Sequence, residues 1–130
     1  MKKILLLSLM CLMFAATAFA QDAPKEVARA TFATGVENRE PVESITEYVP
    51  VEGGVVYFFT ELRNMEGTKV SHVWHKNGEE INTLAFNVGG ARWRTNSSMK
   101  AAHFKAGDDV TVEVMGEDGT VYDSVTLKIR

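Results

Sequence analysis

Three groups of residues have the types and spacing to do chemistry. His72 and His75 form an H-x-x-H pair, Glu61 precedes His72 across a short turn, and Arg92-Trp93-Arg94 sets two guanidiniums around an indole. On a helix, histidines three apart could chelate a metal, but in a strand an odd separation sends the two rings to opposite faces. No third ligand is placed beside them, so neither a metal site nor a cofactor is expected. His75 reads instead as a surface partner of Glu80, and His72 as a core-margin histidine on the face it shares with Val70 and Trp74. A carboxylate beside an imidazole is a general-base or proton-relay arrangement, so Glu61 with His72 supports a small hydrolase as the alternative function. The same arrangement is more often an ordinary buried polar pair. Ser97, Ser98 and Thr60 offer hydroxyls by residue type alone, with no nucleophile-elbow pattern around them. No spacing of Asp and Glu singles out a glycosidase pair, and the chain reads as a non-enzyme.

Arg92-Trp93-Arg94 is the most informative surface candidate. In a strand the two arginines share one face and Trp93 takes the other. With Trp93 inward, the arginines form a forked anion site or lock acidic neighbours such as Glu61, Glu79 or Glu80. With Trp93 outward, the indole is a stacking platform for a sugar or a peptide. Asn38-Arg39-Glu40-Pro41 places further charge on a turn, where sandwich folds often carry binding contacts. The candidate binding set is therefore Arg39, Glu40, Glu61, His72, Trp74, Arg92, Trp93 and Arg94.

The elements that must position these residues are strands. Val27–Thr34, Val55–Leu62, Lys69–Lys76, Glu79–Asn87, Ala91–Ser97, Asp109–Met115 and Val121–Ile129 are rich in β-branched and aromatic residues, with turn signals between them. Val55–Leu62 is apolar on both faces and should be central. Gly35–Pro41 reads as a polar loop, and Pro41–Pro50 as irregular or a short edge strand. Asn77-Gly78 predicts a type I′ hairpin, which pairs Lys76 with Glu79, His75 with Glu80 and Trp74 with Ile81. About seven short strands indicate an all-β, antiparallel, immunoglobulin-like β-sandwich, with a small closed barrel as the alternative.

The first twenty residues belong to a different class. Lys2 and Lys3 precede an apolar run from Ile4 to Ala16, and Ala18-Phe19-Ala20 fits a signal-peptidase site. That run, about 13 residues, is shorter than the roughly 20 needed to span a bilayer. The expected organisation is a cleaved signal peptide over 1–20, a disordered lead-in over 21–26, and one β-sandwich domain over 27–130. Cys11, the only cysteine, is read as part of the signal because Met10 before it does not suit lipidation. Removal of twenty residues takes 130 to 110, and the loss of Lys2 and Lys3 takes the formal charge from −3 to −5. An acidic chain of this size excludes a (β/α)₈ enzyme and gives no electrostatic footprint for nucleic acid or anionic lipid. No stable membrane insertion is expected after cleavage.

Taken together, Thr31-Phe32-Ala33-Thr34-Gly35-Val36-Glu37-Asn38-Arg39-Glu40-Pro41, Val56-Tyr57-Phe58-Phe59-Thr60-Glu61-Leu62, His72-Val73-Trp74 and Val88-Gly89-Gly90-Ala91-Arg92-Trp93-Arg94-Thr95 resemble the bacterial domain-of-unknown-function family 2914. The resemblance implies a small β-rich domain of Gram-negative bacteria, alone after a signal or attached to membrane segments. It implies no activity, ligand or catalytic residue. Two positions depart from the family pattern: Val73, where arginine is common, and Asn96, where an aromatic residue is common. The expected function is an exported module of the periplasm or cell envelope that binds an envelope protein or a glycan. The alternatives are the Glu61–His72 hydrolase and a purely structural envelope protein.

Overall fold

A computed structural model describes residues 23–130. The expected signal peptide and the start of the lead-in lie outside the described residues. Nine strands run in chain order: β1 (Glu26–Glu37), β2 (Glu40–Ile45), β3 (Glu47–Tyr48), β4 (Val55–Arg63), β5 (Lys69–Lys76), β6 (Glu79–Asn87), β7 (Arg92–Lys100), β8 (Asp109–Gly116) and β9 (Val121–Ile129). A single 3-10 turn at Ala101–His103 is the only helical segment among the described residues. None of their helices is long and apolar enough to cross a membrane.

The strands form two sheets, ordered β2-β1-β4-β7 and β3-β9-β8-β5-β6. The architecture is thus an immunoglobulin-like sandwich and not a closed barrel. Two strands exceed the expected seven, and both come from the Pro41–Pro50 segment, where β2 ends in the first sheet and β3 joins the second. Pairing is antiparallel except between β3 and β9, which run parallel. Phe32, Phe58, Leu62, Trp74, Val112 and Leu127 are fully buried between the sheets. Phe32, Phe58 and Trp74 meet edge to face, with ring centroids 5.0 to 6.4 Å apart, the arrangement that aromatic quadrupoles favour.

β4 is central in its sheet, as its double apolar character predicts. Thr60 lies on its inner side, while Phe59 and Glu61 lie on its outer side, and all three are buried. The first strand is longer than expected at both ends. It absorbs Gly35–Glu37, which reads as loop in the sequence, and turns into β2 at Asn38-Arg39. Both turn residues have positive φ, +50° and +59°, so this is a two-residue type I′ turn. Asparagine enters this left-handed region readily, whereas arginine does so seldom.

The hairpin at Asn77-Gly78 forms as predicted, with φ of +51° and +83°. Lys76 pairs with Glu79 and His75 with Glu80, but Trp74 pairs with Asn82 and not with Ile81. A bulge between Trp74 and His75 shifts the register by one residue, which keeps Trp74 on the core face while letting Ile81 also pack inward.

Candidate functional site

The loop Asn64–Thr68 carries the chain from β4 in one sheet to β5 in the other. This overturns the hairpin geometry that would make Glu61 and His72 neighbours. His72 points between the sheets. Its Nε2 lies 2.9 Å from Thr60 Oγ1 and its Nδ1 2.8 Å from Ser97 Oγ. Trp74 Nε1 donates to the same Ser97 Oγ at 2.9 Å. Either neutral tautomer of the ring satisfies both nitrogens. Burial pushes the His72 pKa down to about 3, because a charged imidazole there would lose its water. Ser97 Oγ and His72 have the atom types of a nucleophile–base pair. Both are buried, however, and the network ties β4 and β7 of one sheet to β5 of the other.

Glu61 turns the opposite way. Its Oε1 accepts from Arg29 Nη2 at 2.9 Å and from Arg92 Nε and Nη2 at 3.2 and 2.9 Å. Its Oε2 accepts from Arg63 Nε and Nη2 at 3.2 and 2.9 Å. Three guanidiniums thus surround one carboxylate whose side chain is 4% exposed. The hydrogen bonds from Arg92 and then Arg29, helped by Arg63, hold its pKa at about 2 against the opposing effect of burial. Arg63 and Arg92 are direct cross-strand partners. Like charges so placed repel, and Glu61 between them is what makes the pairing tolerable.

Glu40 joins the same cluster from the β1–β2 hairpin. Its Oε2 accepts from Arg29 Nη1 at 2.6 Å, and its Oε1 accepts from Arg29 Nη2 at 3.0 Å and Arg94 Nη1 at 2.6 Å. Arg29 first, and then Arg94, lower its pKa to about 2, while desolvation opposes them. Glu40 pairs in register with Glu37, eight residues along β1 from Arg29. Eight extended residues cover about 26 Å, more than two side chains can bridge, so the hairpin bends back over the outer face of its sheet. The ladder skips Thr34 opposite Glu43, and Glu43 has φ +49°, which supplies a local break for the bend. Arg29 also lies over the ring of Phe59, 5.0 Å from its centroid, which explains how an outward phenylalanine is 1% exposed.

The candidate residues therefore divide. Glu40, Glu61, Arg92 and Arg94 come together in one cluster, with Arg29 and Arg63 added. Arg39 stands apart, exposed at the turn tip. His72 and Trp74 are fully buried and belong to the core rather than to a binding surface. Trp93 is half-buried and packs inward against the core, where a side chain at Gly89 would come within 2.9 Å of its ring. Of the acidic neighbours expected for the arginines, Glu61 is correct, whereas Glu80 accepts from Thr83 instead. His75 faces Glu113, with Nε2 to Oε1 at 3.2 Å, and not Glu80. Arg29 and Arg63 were missed. Arg29 reaches Glu61 because β1 pairs with β4 and sets the two residues opposite one another. Among the described residues, no group of three His, Cys, Asp or Glu could hold a metal. Clefts of about 210 Å³ beside Val70 and Tyr122 and about 220 Å³ beside Val55 and Lys100 touch none of the cluster residues.

Residues 67–129 match a family model described as "Protein of unknown function (DUF2914)". This is the family that the motifs resemble. The matched segment of DUF2914 runs from the end of the β4–β5 loop to β9 and contains His72-Val73-Trp74 and Arg92-Trp93-Arg94. The motifs at 31–41 and 56–62 lie before it. No curated protein matches the chain. Among solved structures, the chain is similar to an immunoglobulin-like protein from Pseudomonas aeruginosa. The TM-score is 0.60 at 11% identity, over 85% of this chain and 99% of the other. At that identity the likeness shows the fold.

Proposed function

We propose that the protein is an exported, non-catalytic binding module of the cell envelope, periplasmic or secreted, that captures a protein or glycan partner through the outer face of its four-stranded sheet. One observation carries the reading. Arg29, Arg63, Arg92 and Arg94 share only two carboxylates, Glu40 and Glu61. The cluster thus presents a surplus of two positive charges on a chain of negative formal charge. Arg63 and Arg92 are 46% and 52% exposed, so the surplus meets solvent. Their positions are fixed by Glu61, which removes much of the entropy cost of ordering long side chains on binding. An anionic group on a partner would complete the charge balance.

The test is crosslinked capture from the native envelope, with the protein carrying Arg92→Ala and Arg94→Ala as the comparison. The expected result is one dominant partner, lost in the variant while its melting temperature stays within about 5 °C of the parent's. Equal capture by the variant would overturn the reading.

A further inference from the structure

We infer that the free edge of β7 takes up an extended acidic segment of a protein partner as an added strand, with Arg92 and Arg94 pairing to carboxylates at alternate positions. This rests on the binding reading above and narrows the partner to a polypeptide. β7 is the end strand of its sheet and pairs only with β4, in unbroken register over all nine residues. Half of its backbone donors and acceptors therefore have no ladder partner among the described residues. No proline interrupts it. Such an edge is complementary to another extended chain, through main-chain hydrogen bonds.

The side chains say which chain. The outer side of β7 carries Arg92, Arg94, Asn96, Ser98 and Lys100. Alternate residues of any strand repeat at about 6.7 Å, so carboxylates two apart on an added strand fall opposite Arg92 and Arg94 together. Both arginines keep donors for them. Arg92 gives Nε and Nη2 to Glu61, and Arg94 gives one Nη to Glu40, which leaves the remaining edge of each fork. The inner side offers Trp93, Thr95 and Met99, all half-buried, which suit apolar or β-branched residues between the acidic ones.

The same features set aside a second copy as the occupant and the other sheet edges as the site. A second copy pairing β7 to β7 antiparallel over its full length would set Arg92 against Lys100, a like-charge contact. The other end strands, β2, β3 and β6, carry glutamates and no lysine or arginine, so an acidic strand is directed to β7.

The experiment uses the protein purified from cells, labelled for amide NMR, and a nine-residue peptide in which glutamate alternates with threonine. Peptide addition should protect β7 amides from exchange and leave β6 amides unchanged. Arg92→Glu with Arg94→Glu should weaken binding by at least about tenfold and favour the lysine–threonine counterpart. A peptide N-methylated at alternate residues, tested on the parent protein, should not bind. Equal binding of the methylated peptide, or binding without β7 protection, would overturn strand addition and leave the arginines as a plain charged surface. If arginine-dependent envelope capture persists in that case, the binding-module reading stands alone. If capture is also lost, both fall.

Discussion

Thr60 and Glu61 are adjacent in sequence and sit in opposite kinds of polar environment. Thr60 enters a neutral network with His72, Ser97 and Trp74 between the sheets. Glu61 enters an ionic cluster on the outer face. Inside, every group is uncharged and every distance is below 3.0 Å, because a charge there would lose its hydration with no opposite charge to replace it. Outside, one buried carboxylate tolerates three guanidiniums because each arginine keeps contact with water. The interior network fixes how the sheets stack. The exterior cluster holds a surface in a set geometry while leaving charge to spare.

His72→Ala should lower unfolding free energy by about 3–4 kcal/mol, since it opens a cavity and strands two hydroxyls; urea denaturation reads this directly. Acidification should come next. The folded His72 pKa of about 3 lies below its ordinary value of 6.5, so the unfolded chain binds the extra proton. Stability from this group is complete above pH 6.5 and falls as pH drops toward 3, by about 2–3 kcal/mol between pH 6.5 and 4.5. Glu61 adds its own loss only below pH 4.5, as pH falls toward 2. A denaturation midpoint flat from pH 7 to 5 would contradict the buried neutral histidine.

Glu61→Ala should cost about 2 kcal/mol and make stability rise with added salt, because three guanidiniums are then left to repel one another. If it costs more than His72→Ala, the outer cluster and not the interior network anchors β4. Gly89→Ala should cost about 1–2 kcal/mol by pushing on the Trp93 ring, measurable as a lowered melting temperature. Arg94→Ala should be smallest, about 0.5 kcal/mol, as expected for a partly exposed ion pair.

Much of the fold is legible in the residues. Alternation and turn chemistry mark the seven principal strands and the hairpin at Asn77-Gly78, because period and φ preference are local properties. The doubly apolar run at Val55–Leu62 marks a central strand. The site is legible only in part. Arg92 and Arg94 stand out by spacing, and Glu61 is the correct partner of Arg92. The link between Glu61 and His72 fails because two strands joined by a short loop can pair or can cross to the other sheet. The Asn64–Thr68 turn signal is the same in both cases.

Alternation, the places where the chain turns and the all-β class can be read from the residues alone, since each rests on neighbours within a few positions. Three outcomes emerge only in the folded chain: β4 and β5 part, a bulge shifts Trp74 by one register, and the first hairpin bends back to set Glu40 on Arg29 and Arg94. The last of these depends on contacts between residues 11 and 54 positions apart. Their energies belong to the packed sheets, not to any local stretch of chain.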